Sequence, residues 1–463
     1  MTRRIIPVVG CLDASVLLPG SKSITNRALA LSAFCNGRTI LRHALESEDT
    51  QIMIDALRQL GISIDYGDDL ESDKYKSDKY QIIVVGLGGK FPKPSAEIYV
   101  GNSGTSARFL TAALALSSSG DYRMYGKPRM HRRPIIDLVD PLRLLGGNIR
   151  YENSDNSLPL IIGRRGELCK SVIESGVIRL SVSGDISSQF LSAILMAAPL
   201  ASDSMDVEVR VTGKLVSLPY VKMTINMMES FGIYPVVNSD FTSFKFCCNE
   251  FYCSPEVYWV EPDASAASYF FAAAAICGGA VKVEGLSQES IQGDIKFVEC
   301  LAKMGCDVKF DNIKNTTTVS RPKNKPLNGI VVDMNSISDT AQTLSVVALF
   351  AKGETVIKNI EHVRYKETDR ISDLATELRK FGAKIEEQSD GLKIIPPEKI
   401  KPATVATYDD HRMAMSFAIA GLKVDGVIIE NPDCVQKTFP NFFTELQKTG
   451  EGEIRNSECG MRN

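Results

Sequence analysis

Leu57-Arg-Gln-Leu-Gly61 is the stretch on which the reading of this chain turns, because it returns five times. It comes back as Leu142-Arg-Leu-Leu-Gly146, Met228-Glu-Ser-Phe-Gly232, Leu301-Ala-Lys-Met-Gly305, Leu378-Arg-Lys-Phe-Gly382 and Leu446-Gln-Lys-Thr-Gly450. Each copy closes an amphipathic pattern. Glycine after the last apolar turn tolerates the left-handed backbone that ends a helix, so all six are predicted as helix C-caps. Strand-like alternation follows several of them, as in Ile62-Ser-Ile-Asp-Tyr66 and Ala383-Lys-Ile-Glu386. A return every 68 to 86 residues marks a structural repeat.

A second element alternates with the first. It is apolar on nearly every side and rich in Ala and Ser, over Ser23–Ala33, Thr105–Leu116, Ser188–Ala201, Ser265–Ile276, Asp339–Ala351 and His411–Leu422. A helix apolar all round must be buried. Each repeat therefore reads as buried helix, strand, amphipathic helix, strand. Three repeats fall before about residue 255 and three after about 260, with Ser254-Pro255 to Glu261-Pro262 as the connector. Two lobes of three repeats replace the roughly three domains that length alone would give. The charged segment Asp68 to Tyr80, with Ser72-Asp-Lys-Tyr75 and Ser77-Asp-Lys-Tyr80, reads as a solvated hairpin extension with no function.

The chain has 463 residues, 44% apolar and 24% charged, the range of a globular protein rather than a disordered or fibrous one. A net charge of −3 disfavours bulk nucleic-acid binding. No apolar run reaches the ~18 residues of a membrane helix. The four histidines are not paired at metal-ligand spacing, and the eleven cysteines are scattered. Free thiols in a reducing, cytoplasmic setting are the expected state, with no metal and no cofactor.

Polar residues gather where the buried helices begin, and helix N-termini with their free N–H groups attract anions. Leu18-Pro-Gly-Ser-Lys-Ser-Ile-Thr-Asn-Arg27 offers Gly20 for a close backbone approach, Ser21 and Ser23 as donors, and Lys22 and Arg27 as cations. It lacks the spacing of a P-loop. A Ser-capped helix with a solvated lysine would explain it equally well. Gly101-Asn-Ser-Gly-Thr-Ser-Ala-Arg108 and Ser183-Gly-Asp-Ile-Ser-Ser-Gln189 repeat the theme. Of Arg129, Arg132 and Arg133, one is expected to serve a carboxylate and the other two to lie in a solvated loop.

The second half supplies acids. Asp339 opens its helix and reads equally as an N-cap. In Tyr365-Lys-Glu-Thr-Asp-Arg370, Lys366 and Arg370 are expected on one helix face with Glu367 pointing elsewhere. His411 and Arg412 start an otherwise apolar helix, and Lys437 precedes the last one. Eight cations at repeat ends (Lys22, Arg27, Arg108, Arg129, Lys366, Arg370, Arg412 and Lys437) predict a cleft between two lobes for small polyanions.

With these motifs the chain resembles the 5-enolpyruvylshikimate-3-phosphate synthase family, from about residue 5 to 447. The most specific matches are the Leu18–Arg27 stretch, Gly101-Asn-Ser-Gly-Thr105, Tyr365-Lys-Glu-Thr-Asp-Arg370 and Asp410-His-Arg-Met-Ala-Met415. The related UDP-N-acetylglucosamine enolpyruvyl transferases would carry a reactive cysteine loop and lack the Lys-Glu-Thr-Asp-Arg run. The resemblance implies an α/β (α+β) fold, a two-lobed inside-out barrel. Each lobe would hold three βαβαββ repeats around buried parallel helices. The lobes would be 1–20 with 260–463, and 21–259.

It further implies transfer of the enolpyruvyl group of phosphoenolpyruvate to the 5-hydroxyl of shikimate-3-phosphate, releasing phosphate, in chorismate and aromatic amino-acid biosynthesis. Shikimate-3-phosphate would be held by Lys22, Ser23, Arg27, Ser187, Ser188, Gln189, Ser217, Tyr220, Asp339, His362 and Lys366. Phosphoenolpyruvate would be held by Lys22, Gly104, Arg129, Gln189, Glu367, Arg370, Arg412 and Lys437. The catalytic set would be Lys22, Asp339, Glu367, His411 and Lys437. A cytoplasmic monomer binding neither nucleic acid nor membrane is implied. Phe109 stands where many relatives have Pro, which is expected to shift the helix carrying Gly104 and Thr105. His362 stands where many have Asn. Gly104 itself is retained, where Ala would crowd glyphosate, so inhibition by that compound is implied.

Overall fold

The structure is a computed structural model that describes residues 2–68, 80–117, 120–153, 156–201 and 205–457. The expected hairpin extension from Asp68 to Tyr80 lies, but for those two residues at its edges, outside the described residues. The fold is mixed α/β, and the chain divides into two compact units, residues 1–19 with 261–463 and residues 20–260.

One repeat of the 20–260 unit shows the local logic. Strand Ser95–Tyr99 leads into the helix Gly104–Ser117, which returns to Asp121–Tyr125 running parallel to the first strand. The helix Ile136–Leu144 then feeds two antiparallel strands, Asn148–Tyr151 and Leu160–Gly163. The first helix is buried over nearly its whole length because Ala, Leu and Thr leave it no polar face. The second exposes one side, and Gly146 with φ +89° closes it.

Two more sheets of this kind complete the unit, each with one parallel pair and antiparallel neighbours. The buried helix Lys22–Phe34 packs on Gly104–Ser117, which packs on Ser188–Ala201.

The other unit is wired alike around three mutually packed buried helices, Ala264–Cys277, Ala341–Ala348 and His411–Gly421. Its sheets borrow from the chain start. Leu12–Leu17 pairs parallel with Gly279–Glu284, and Arg3–Ile5 pairs antiparallel with Ile428–Glu430. The core is aliphatic and aromatic, with Phe270, Phe439 and Phe442 ring against ring.

Five of the six repeat glycines take a left-handed backbone: Gly61, Gly146, Gly232, Gly305 and Gly382. Gly450 does not. The last helix runs Phe442–Ser457 straight through it. A Cβ on Gly450 would meet Cγ1 of Val9 at 2.5 Å, so this glycine is small for packing rather than for a turn. Among the described residues no helix is long and apolar enough to cross a membrane.

Candidate functional site

Asp339 lies just before the helix Ala341–Ala348, on the short 3-10 turn Asn335–Thr340. It does not cap the helix. Its carboxylate collects cations instead: Lys366 Nζ at 2.5 Å and Arg370 Nη1 at 3.2 Å on Oδ1, with Arg412 Nη2 at 2.9 Å on Oδ2. Arg412 Nη1 also donates to the Asp339 carbonyl at 3.1 Å. Burial opposes the charge on Asp339, but Arg412, Lys366 and Arg370 overcome it and hold the carboxyl well below the usual carboxylate range.

Glu367 belongs to the same network, contrary to its expected orientation. Lys366 and Glu367 are not on a helix: they form the turn before Arg370–Lys380, which Asp369 caps through Ser372 N–H. Freed from helical spacing, Glu367 accepts from Arg370 Nη2 at 2.8 Å and from Lys437 Nζ at 2.8 Å. Arg370, 2% exposed, also donates from Nε to Asp410 Oδ2 at 2.7 Å. Asp410 in turn caps the helix His411–Gly421 through Arg412 N–H at 2.8 Å. Four cations and three carboxylates thus share one half-buried cluster, Lys366, Arg370, Arg412 and Lys437 with Asp339, Glu367 and Asp410. His411 is buried beside Asp410, its Nδ1 3.7 Å from Oδ1.

His362 Nε2 lies 2.8 Å from Ser338 Oγ. Burial first, and then the charge of Lys366, push its pKa down to about 3. An unfolded histidine titrates near pH 6.5, so below that pH the unfolded chain takes up a proton the folded site refuses. The stability this group supplies is complete above about pH 6.5 and is lost as pH falls toward 3. Between pH 7.5 and 4.5 the wild type is expected to lose about 2 kcal/mol more than His362→Asn, read by denaturant unfolding. Equal losses would contradict the assignment.

In the 20–260 unit, Lys22 opens the first buried helix and pairs with buried Asp49 at 3.3 Å. Gly20 serves a protein contact rather than a ligand: a Cβ there would lie 1.9 Å from the His43 carbonyl oxygen. Arg27 is 1% exposed, and among the described residues its hydrogen-bond partners are neutral groups. Its Nε donates to Thr224 Oγ1 at 2.8 Å and its Nη1 to the Ser23 carbonyl at 3.0 Å. Nη2 donates to Ser192 Oγ at 3.4 Å and to the Tyr220 carbonyl at 3.5 Å.

The guanidinium sits 5.2 Å from the Phe109 ring centroid. Burial lowers its pKa to about 10. A buried cation without a carboxylate is costly and suits a site that receives an anion. Phe109 lies inside a continuous helix, and its ring faces Arg27.

Ser217, at φ +53°, starts the helix Leu218–Ser230 that presents Tyr220 and Thr224 to Arg27. Ser187 Oγ accepts from Gln189 N–H at 3.2 Å, and Ser188 is buried beside it. A Cβ on Gly104 would meet Arg133 Nη2 at 2.8 Å, Gln189 Oε1 at 3.0 Å and Arg108 Nη1 at 3.3 Å. Arg133 is therefore buried among these groups and is not part of a solvated loop; Arg132 is exposed and Arg129 half-buried.

A family model of EPSP synthase (3-phosphoshikimate 1-carboxyvinyltransferase) matches residues 8–446. The chain belongs to the EPSP synthase family. It is 46% identical to the 3-phosphoshikimate 1-carboxyvinyltransferase of Cupriavidus necator, over 93% of this chain and 96% of that one. It is 44% identical to that of Herminiimonas arsenicoxydans, over 95% of each. The solved EPSP synthase of Acinetobacter baumannii superposes with a TM-score of 0.77 at 25% identity, covering 97% of this chain and 98% of that one.

Sequence reasoning about this EPSP synthase homologue gave no role to Asp49, Asp410, Ser192 or Thr224, and it did not single out Arg133 from its neighbours. Asp410 was readable as an N-cap before a helix start. The others become visible only when distant segments meet. Among the described residues no group of three or more His, Cys, Asp or Glu could hold a metal ion.

Proposed function

We propose that this chain transfers the enolpyruvyl group of phosphoenolpyruvate to the 5-hydroxyl of shikimate-3-phosphate, giving 5-enolpyruvylshikimate-3-phosphate and phosphate in aromatic amino-acid biosynthesis. The supporting observation is the cluster on Asp339 and Glu367, two acids of unlike surroundings sharing four cations with one further carboxylate. The architecture proposed with it is the family's two-lobed inside-out barrel, with three βαβαββ repeats per lobe. The protein is proposed to act as a cytoplasmic monomer, inhibited by glyphosate.

In the proposed roles, Lys22, Ser23, Arg27, Ser187, Ser188, Gln189, Ser217, Tyr220, Asp339, His362 and Lys366 hold shikimate-3-phosphate. Lys22, Gly104, Arg129, Gln189, Glu367, Arg370, Arg412 and Lys437 hold phosphoenolpyruvate. Glu367 donates a proton to the methylene carbon as the 5-hydroxyl oxygen attacks C2, and Asp339 takes the hydroxyl proton. The resulting ketal expels phosphate while Glu367 takes a proton back from the methyl group, which restores the double bond. Lys22 and Lys437 neutralise the departing phosphate, and His411 supports the same step.

A carboxylate gripped by three cations is a weak base, so Asp339 must be released to act. The substrates' phosphate and carboxylate groups do this by competing for Lys366 and Arg412, which raises the proton affinity of Asp339. Purified protein is expected to release phosphate only when both substrates are present, with no divalent metal added. Release without shikimate-3-phosphate, or none at all, refutes the reading.

Gly104→Ala gives a finer test. The three atoms a Cβ would meet are side-chain tips, so the fold should tolerate it within about 1 kcal/mol. The displaced Gln189 and arginines should raise the KM for phosphoenolpyruvate about tenfold. An unchanged KM would remove Gly104 from that subsite.

A further inference from the structure

We infer that Phe109, Thr224 and Ser192 form a cage that fixes the plane of the Arg27 guanidinium, making Phe109 a positioning residue for the binding of shikimate-3-phosphate. This rests on the proposed function, in which Arg27 is one of the residues that hold shikimate-3-phosphate. The three residues come from three helices. Phe109 lies on Gly104–Ser117, Ser192 on Ser188–Ala201 and Thr224 on Leu218–Ser230, while Arg27 lies on Lys22–Phe34.

Arg27 is buried, yet its described partners carry no negative charge. The Phe109 ring centroid, 5.2 Å from Cζ, supplies the negative face of an aromatic quadrupole in place of a carboxylate. A carboxylate would neutralise the guanidinium and compete with an incoming phosphate. A ring stabilises the charge without accepting its N–H groups, which stay available to oxygen acceptors.

The acceptors fix the remaining freedom. Thr224 Oγ1 receives Nε and is itself tied to Ser192 Oγ at 3.0 Å and to the Tyr220 carbonyl at 2.8 Å. Ser192 Oγ also receives Nη2. One bond from Nε, one from Nη1 and two from Nη2 go to neutral oxygens, which leaves one of the five N–H groups outside these bonds, and the ring holds the plane. An arginine so held meets an anionic substrate without losing rotamer freedom on binding, and this lowers KM rather than raising kcat.

The test uses full-length enzyme and first confirms wild-type turnover on the two substrates, so that failure of the proposed function is seen separately. Phe109→Leu is then expected to raise the KM for shikimate-3-phosphate about tenfold. Both kcat and the KM for phosphoenolpyruvate should stay within about twofold. Phe109→Tyr, which keeps the ring, should restore the KM. Calorimetric binding of shikimate-3-phosphate alone should weaken in parallel.

A KM for that substrate within about twofold of wild type, or equal losses in both KM values and kcat, overturns the inference. If Phe109→Leu is recovered unfolded, Thr224→Val decides. The same selective rise in KM supports the cage, and an unchanged KM overturns it.

Discussion

Replacing Glu367 with glutamine is expected to cut phosphate release by about 10²- to 10⁴-fold, while the protein stays folded. Glutamine keeps the shape, and its single amide oxygen can accept from one of the two cations, Lys437 Nζ or Arg370 Nη2, which now lie 2.8 Å from Oε1 and Oε2. It cannot carry a proton to carbon and back. Arg370 keeps Asp410 and Asp339 as anionic partners, so its buried charge is not stranded. A rate within about tenfold of wild type would show that Glu367 positions cations but transfers no proton. Circular dichroism and thermal unfolding on the same preparation separate lost chemistry from lost fold.

Asp339→Ala is expected to have the largest effect on stability, about 3–5 kcal/mol. The substitution takes one shared carboxylate from three cations at once, since Lys366, Arg370 and Arg412 all converge on it, and Arg370 keeps only Asp410 and Glu367. Arg370 is 2% exposed and Arg412 8%, so water cannot take over the lost partner. The melting temperature should fall by roughly 10 °C. Asp140→Ala is the control. It breaks a pair with Arg143 whose side chains are 56% and 40% exposed, and it should cost about 0.5 kcal/mol or less. If the two variants unfold at the same denaturant concentration, the Asp339 cluster is not the electrostatic keystone described above.

The helices and their order were legible because burial and amphipathicity leave a periodic trace, and five of six repeat glycines cap helices as a local rule requires. Gly450 shows where a local rule fails: the same Leu-x-x-x-Gly spelling sits in a helix that needs a small residue against Val9, at the other end of the chain. Glu367 shows a second failure. Helical spacing sent it away from Lys366 and Arg370, whereas a turn before the helix brings all three together. Lys22 and Arg27 were legible as cations. Their partners Asp49, Thr224 and Ser192 were not, because no periodic signal marks which distant side chain will satisfy a buried charge.

The most direct test follows the atoms of the reaction. Phosphorus NMR of purified protein with shikimate-3-phosphate and phosphoenolpyruvate should show the phosphoenolpyruvate signal falling. Inorganic phosphate should rise in step, and the shikimate phosphate should move to a new resonance in equal amount. Phosphoenolpyruvate hydrolysed to pyruvate with shikimate-3-phosphate untouched would contradict the account, as would turnover only with an amino-sugar nucleotide as acceptor.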